Sequence, residues 1–496
     1  MPRFGKRIAY CTLLCVAGGA LGQQRDLPLS APKQAPGTQP PTLREYLLQP
    51  NPELAVLPKQ QVDLDREREY TLPELVDIAE REHPQTRVAW NTAKNAVLAT
   101  GIAKSTYFPR VSASIVGGYQ GTSGNTSSLG YTASGVTSLA GTVSAVSMEW
   151  LLFDFGGRSH IVDASQKLAK VSSIAFTGEH QAVIHEVCVA YYAYNAARRR
   201  HQTDEASLKN AHGIEAAAQN RYHDGVGTVL ETTQAHQATA LAELNVVQAE
   251  GAEQDAYAAL LTVMGVSPLE TIQIAPIGPR RFSDDMLQPV DQLVSDSLAR
   301  RPDVQAAFAS EQASQAAVKA AKTQYLPKVF VAGTGAYVSG SLGLTAIPAI
   351  GEQLPTLNLS GNHWNGAIIA GVTVPLFDAR QRADAIQQAK NNASQAAATL
   401  DKVRMEAIRQ VVVARNTLRT SIAANRASTT LVDAAQTAYD AALDAYKYDV
   451  GTVTEVLTAQ TQLEQARLSL DETESAALTA AVTLAFASGQ LGSPPR

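Results

Sequence analysis

The chain has 496 residues, a formal net charge of −5, only 18% charged residues and three cysteines. The mildly acidic balance argues against a partner such as nucleic acid, which needs a basic surface, and three cysteines cannot make a disulfide framework. Beyond the N-terminus no apolar run reaches the roughly 18 residues of a membrane-spanning helix. That excludes a helical inner-membrane transporter but leaves open a membrane β-barrel, whose strands alternate and carry a weak signal.

The first element is a targeting segment. Arg3, Lys6 and Arg7 form a basic stretch, Ile8 to Ala17 an apolar one, and Ala20-Leu21-Gly22 fits a small-x-small cleavage site. Residues 1–22 therefore read as a signal peptide cut before Gln23, and losing its three cations takes the net charge from −5 to −8. Cys11 and Cys15 leave with it. Leu14, before Cys15, is bulkier than a lipoprotein signal accepts, so lipidation is not expected. Cys188 stays, among apolar helical residues, and reads as inert core. Residues 23–70, rich in Pro and Gln, read as an extended arm that buries too little apolar surface to fold alone.

From residue 71 the chain is duplicated. Pro84 and Pro109 bracket a helical pattern in the first copy, as Pro302 and Pro327 do in the second. At the same offset Leu75-Val76 meets Leu293-Val294, Tyr107 meets Tyr325 and Tyr119 meets Tyr337. Further on, Leu152-Phe153-Asp154 meets Leu376-Phe377-Asp378, Arg158 meets Arg382, and Val226-Gly227-Thr228-Val229 meets Val450-Gly451-Thr452-Val453. A single insertion between Tyr119 and Leu152 accounts for the change of offset. The first repeat spans 71–268, a linker 269–289, the second repeat 290–489, and a tail 490–496.

Each repeat reads helix, strand, strand, helix, helix. Residues 72–106 and 290–325 form the first helices. Strands follow at about 107–120 and 140–153, then at about 326–338 and 364–377, with a period of two and one apolar face. On one of them Val329, Val331, Gly333, Gly335 and Tyr337 share a face, and Trp150 and Tyr119 suit an interfacial girdle. Residues 121–139 and 339–363 are read as loops between strands, the first of them rich in Gly, Ser and Thr. Residues 156–224 and 379–449 are long helices, each roughly 100 Å at 1.5 Å per residue. The shorter helices, 229–264 and 454–488, can stack end to end with the first ones to cover them. In 418–446, Leu418, Ile422, Asn425, Thr429, Val432, Ala435, Tyr439, Ala442 and Tyr446 recur at spacings of three and four, a coiled-coil-like seam. Asn425 either sets its register or marks a wet point.

Four membrane-type strands cannot close a barrel, and lipid tolerates no open sheet edge, so the chain must oligomerise. Two copies give eight strands, whose interior side chains fill; three give twelve, enough for a lumen. No phosphate-binding loop, metal-ligand spacing or nucleophile–His–acid set is present; His180 and His185, five apart, do not share a helix face. Neither a catalytic site nor a cofactor or metal site is expected.

The segments LFDFGGR and LFDARQR, the turns RYHDGVGTV and AYKYDVGTV, the stretch EVLTAQTQLEQAR and the close LTVMGVSP resemble the outer-membrane factor, or TolC-like, family over about 71–489. The resemblance implies an α+β membrane protein. In that fold a homotrimer builds a 12-stranded barrel in outer-membrane lipid, continuous with a long α-helical barrel in the periplasm of a Gram-negative bacterium. It implies a passive exit duct for small molecules, joined through a periplasmic adaptor (a membrane fusion protein) to an inner-membrane pump of the resistance-nodulation-division type. The alternatives are the outer-membrane component of type I protein secretion and a non-conducting trimeric rod. It also implies adaptor-docking tips at Val226, Gly227, Thr228, Val450, Gly451 and Thr452. An acidic constriction is implied at Glu455, with Thr458 where a second acid is common. Phe153, Asp154, Phe377, Asp378, Pro109 and Pro327 fall at the junction of barrel and helices. Glu455 can equally be a solvated helix-face acid, and Gly227 and Gly451 ordinary turn glycines.

Overall fold

The structure, a computed structural model, describes residues 64–128, 131–278, 282, 289–340, 344–346, 357–359, 363–448 and 450–491. The signal peptide, most of the arm, most of 279–288 and the tail beyond 491 lie outside these residues.

In chain order the elements are β1 (Glu69–Tyr70), α1 (Leu72–Glu82), α2 (Pro84–Ser105), β2 (Arg110–Ser128), β3 (Tyr131–Phe153), α3 (Gly157–His223), α4 (Val229–Val263) and β4 (Gln273–Ile274). Then come α5 (Val290–Arg300), α6 (Pro302–Lys322), a short 3-10 turn, β5 (Lys328–Gly340), β6 (Leu344–Ala346), β7 (Leu357–Leu359), β8 (His363–Thr373), α7 (Gln381–Lys447) and α8 (Val453–Ala487). Both long helices have 67 residues and both partners after the turns have 35.

The structure corrects the expected elements at several points. The first helix of each repeat is two, broken at His83 and Arg301. Each break residue precedes a proline, whose ring pushes it into extended backbone, with ψ of 125° and 127°. The stretch 121–139 is not a loop: β2 and β3 pair continuously from Arg110↔Glu149 to Ser128↔Tyr131. Within 339–363, β6 pairs with β7 as a short hairpin. The strands begin at Arg110 and Lys328, just after Pro109 and Pro327, which have no N–H to give a ladder. The last strand ends at Thr373, four residues before Phe377.

The main sheet has the order β2-β3-β5-β8, all antiparallel, so among the described residues β2 and β8 are edges with no further partner strand. Cross-strand partners share a face. Trp150 lies opposite Val331, which lies opposite Ala370; Ser144 lies opposite Tyr337, which lies opposite Trp364. This face also carries Ile115, Ile368 and Val372, all exposed. The rings of Tyr337 and Trp364 meet at 5.2 Å. Six residues separate Val331 from Tyr337, so Trp150 at one end and the Tyr337–Trp364 pair at the other stand roughly 20 Å apart along the strand. That height matches the apolar band of an outer-membrane barrel wall.

Two repeats share the helices unequally. Near the sheet α3 lies between α2 and α6, and away from it between α4 and α8; α7 packs on α6 and then α8. The helical layer therefore has one edge made of α2 and α4 and another made of α7. At mid-length, α1 with β1 and β4 packs on α3 through Leu75, Ile78, Val187, Tyr191 and Ile274. Cys188 is buried in this cluster, and burial pushes its thiol up to about 11, so it is inert as expected. The α7 seam holds at Leu418, Ile422, Ala435, Tyr439 and Tyr446, all buried. Thr429 is exposed and Ser428 takes the buried place; Asn425 is half-buried.

Candidate functional site

No described helix is long and apolar enough to cross a membrane, and no group of His, Cys, Asp or Glu among the described residues could hold a metal. His180 faces Glu80, while His185 faces Thr483, on a different helix. What the sequence brings together instead are two duplicated structures, one at each end of the long helices.

At the sheet end, the chain leaves β3 and must turn directly into α3. Phe155 and Gly156 make the turn with φ of 51° and 89°; Ala379 and Arg380 do so before α7, with φ of 49° and 76°. A carboxylate holds each turn. Asp154 accepts from the backbone N–H of Arg158 at 2.6 Å, and Asp378 from that of Arg382 at 2.9 Å. The arginines then reach back. Arg158, 7% exposed, donates to the carbonyls of Thr106, Leu151 and Leu152, joining the end of α2 to the end of β3. Its guanidinium stacks over Tyr107 at 4.8 Å, as that of Arg382 does over Tyr325 at 5.7 Å. Phe153 and Phe377 are exposed at this level, and Pro109 and Pro327 stand just before β2 and β5. The resemblance puts Asp154 and Asp378 at this junction, whereas in the sequence Arg158 and Arg382 show only as aligned repeat positions. They are the residues that clamp it.

At the other end the long helices turn at 224–228 and 448–452. The N–H groups of Val226 and Gly227 both bond the Arg221 carbonyl, at 3.0 and 2.8 Å, and Val450 bonds Ala445 at 2.9 Å. A Cβ on Gly227 would stand 2.8 Å from the Tyr222 nitrogen, and one on Gly451 3.1 Å from the Ala445 Cβ. Glycine there lets the turn close on its own helix. Gly225 carries the left-handed φ of 78°; its counterpart Asp449 lies outside the described residues. Val226 and Val450 are left exposed at the apex.

Thr228 and Thr452 cap the returning helices, each accepting from the N–H three residues on. Glu455 completes a capping box, its carboxylate accepting from the Thr452 N–H at 2.8 Å. Its side chain is thus engaged with its own helix start. The Thr458 hydroxyl donates to the Thr454 carbonyl, and both residues are exposed.

The two turns are not equivalent. Arg221 stacks over the buried ring of Tyr446 at 4.8 Å, donates to the Tyr446 carbonyl at 3.4 Å and approaches Glu231 at 3.9 Å. Burial and the nearby Glu231 push the Tyr446 phenol above its usual range. Sequence reasoning missed Arg221. The available signal was a break in the duplication: Arg221 aligns with Ala445, while the next positions are both tyrosine.

Comparisons with known proteins fit this geometry. Residues 75–266 and 293–490 match the family model described as outer membrane efflux protein, one match for each repeat. Protein CyaE of Bordetella pertussis is 30% identical over 431 residues, covering 86% of each chain. Outer membrane efflux protein BepC of Brucella suis is 25% identical over 398 residues, covering 79% of each. The crystal structure of the outer membrane protein VceC of Vibrio cholerae superposes with a TM-score of 0.66 at 19% identity, over 84% of this chain and 96% of that one.

Proposed function

The chain belongs to the outer membrane efflux protein family, and from that premise we propose that three copies form a closed duct that passes small molecules out of the periplasm. The family places the protein in the outer membrane as a passive channel, not an enzyme. The observation that carries the trimeric duct is the pair of aligned open edges. On one side β2 is unpaired, and below it α2 and α4 expose Trp90, Leu98, Ile102, Leu244 and Val247. On the other β8 is unpaired, and below it α7 exposes Met405, Val413 and Leu431. The β8/α7 edge of one copy placed on the β2/α2–α4 edge of the next satisfies the ladder groups that lipid cannot, and covers the apolar helix edges in the same step. Three copies supply twelve strands, wide enough for a bore.

The apex at Val226–Thr228 and Val450–Thr452 is the surface we assign to a periplasmic adaptor, which in turn joins an inner-membrane pump. Glu455, near the mouth, is the acid we assign to a cation-favouring constriction, in addition to its capping role. Efflux is favoured over protein export because BepC is named an efflux protein; the name of CyaE states no cargo. A rod is disfavoured because it needs no amphipathic sheet. Purified protein in planar bilayers should give discrete conductance steps, and their absence would overturn the duct. A deletion strain should become sensitive to antibacterial compounds, with resistance restored by the intact gene. Unchanged sensitivity with a lost secreted protein would transfer the duct to protein export.

A further inference from the structure

On α8, Glu472, Ala476, Thr479 and Thr483 form a stripe at spacings of three and four, which keeps them on one face. The two flanks of the helix are otherwise engaged: Leu478 packs in the cluster with α3, and Ala480 and Leu484 pack with α7. Ala481, on the side opposite the stripe, packs against the same cluster, which Leu293 of α5 joins. The stripe therefore lies on the face of α8 turned away from this cluster, which the proposed duct reading makes the bore side. Between α3 and α7 it floors a groove of about 750 Å³.

The groove is chemically graded. At one end the rings of His185 and Phe486 stack at 4.7 Å and 27°, and His185 Nε2 lies 3.2 Å from the Thr483 hydroxyl. Burial holds the imidazole below its ordinary range, so it is neutral at pH 7. Ala476 and Ala480 line the middle, and Ala487 lies just past the rings. At the other end stands Glu472, exposed, with no ion pair or hydrogen bond among the described residues. Arg409 also lines the groove, but at its far end, beside Gln410 and Ala487, where Glu406 holds it at 2.5 and 2.9 Å. Eleven residues separate Glu472 from Thr483, roughly 16 Å of helix.

We propose that this groove binds an elongated amphiphile with one positive charge, its cationic head at Glu472 and its apolar chain along the alanines to the His185–Phe486 rings. One uncompensated carboxylate selects the charge, and a groove about 16 Å long, lined by alanines and threonines, accommodates a chain of about a dozen carbons. The inference uses the duct reading only for the direction in which the groove opens, and its test measures binding, not export.

The probe is dodecyltrimethylammonium, titrated calorimetrically below its micelle concentration into the full-length protein in zwitterionic lipid nanodiscs, with empty nanodiscs as the baseline. One saturable site per chain is expected. Glu472→Gln, an exposed and isosteric change, should weaken it roughly fivefold, as the loss of a partly solvated ion pair does. Ala476→Trp should fill the groove and abolish the site. The neutral dodecyl maltoside should bind with the same affinity to the intact protein and to Glu472→Gln. No saturable heat above the baseline, or equal affinity for dodecyltrimethylammonium in the intact protein and both variants, would overturn the proposal. A duct that conducts in bilayers but binds no probe would leave the export reading standing.

Discussion

The guanidinium of Arg301 donates to the carbonyl of Ala487 at 3.0 Å, tying the break between α5 and α6 to the last residue of α8. It also bonds Gln410 of α7 at 2.7 Å and Asp303 at 2.6 and 3.0 Å. One side chain, 6% exposed, thus joins four helices at the point where the partners of the long helix change over. In the first repeat the matching residue is His83, which only caps α2 by accepting from the Gln85 N–H.

Arg301→Ala should therefore be more damaging than His83→Ala. It leaves a buried carbonyl and the Gln410 oxygen without their donor, a loss of about 2–4 kcal/mol. Replacing His83 removes one weak cap, worth about 1 kcal/mol. Hydrogen exchange of α6 and of the end of α8 checks this. Equal exchange in the two variants would mean that the Arg301 bonds carry no net stability.

The barrel–helix clamps should also differ in strength. Arg158→Met strips three carbonyls of their donor and breaks the pairing with Asp154, whereas Arg382 holds Asp378 at 3.0 Å and stacks on Tyr325. Each stripped carbonyl costs about 1 kcal/mol or more. The fraction of heat-resistant oligomer on a gel should fall well below wild type for Arg158→Met and only modestly for Arg382→Met. A reversed order would contradict the geometry.

At the tips the structure separates holding from docking. A side chain at Gly227 would collide with the backbone of its own helix, so Gly227→Leu should deform the turn before any partner is met. Val226 and Val450, both exposed, are the positions to test: Val226→Asp with Val450→Asp should leave oligomers intact and abolish co-purification of the adaptor. Normal co-purification by that double variant would remove the apex from the docking surface.

The duplication made the ends of the helices legible. The prolines, the LFD segments and the VGT turns repeat in order, and each sits where a helix or strand starts or stops. The breaks at His83 and Arg301 were legible too, because a residue before proline avoids helical backbone, yet the surrounding apolar period masked them. The stretch 121–139 was misread for a different reason. Its Gly, Ser and Thr show no apolar face, but a strand is held by backbone pairing, which β2 and β3 supply. The sharing of α3 between repeats was not legible at all. Periodicity tells which face of a helix is buried, not which helix covers it. Arg221 and Arg301 escaped for a related reason: each acts across the repeat boundary, where neither copy predicts the other.

The α3–α8 interface holds a buried acid whose charge should work against it. The Asp204 side chain is 2% exposed, and its nearest cation, Arg200, lies 3.8 Å away and is itself largely in water. Glu464 faces it from α8, held by Ser207 and Asn245, and the neighbouring His201 is engaged with Glu253. Burial, reinforced by the Glu464 charge, raises the Asp204 carboxyl above its ordinary value of 3.8. A carboxyl whose folded value is raised favours the fold while protonated, and this contribution fades as pH climbs from about 3.8 through the raised value. Asp204→Asn keeps the shape and removes the charge. The variant should match wild type below about pH 4 and exceed it in thermal dissociation midpoint at pH 7. Asp471, also raised chiefly by burial but paired with Arg199 and Thr203, should give a smaller gain as Asp471→Asn, because its replacement forfeits those bonds. A midpoint difference for Asp204→Asn that stayed constant from pH 4 to 8 would show that the carboxylate is solvated in the assembled protein, and that α3 and α8 do not hold it dry.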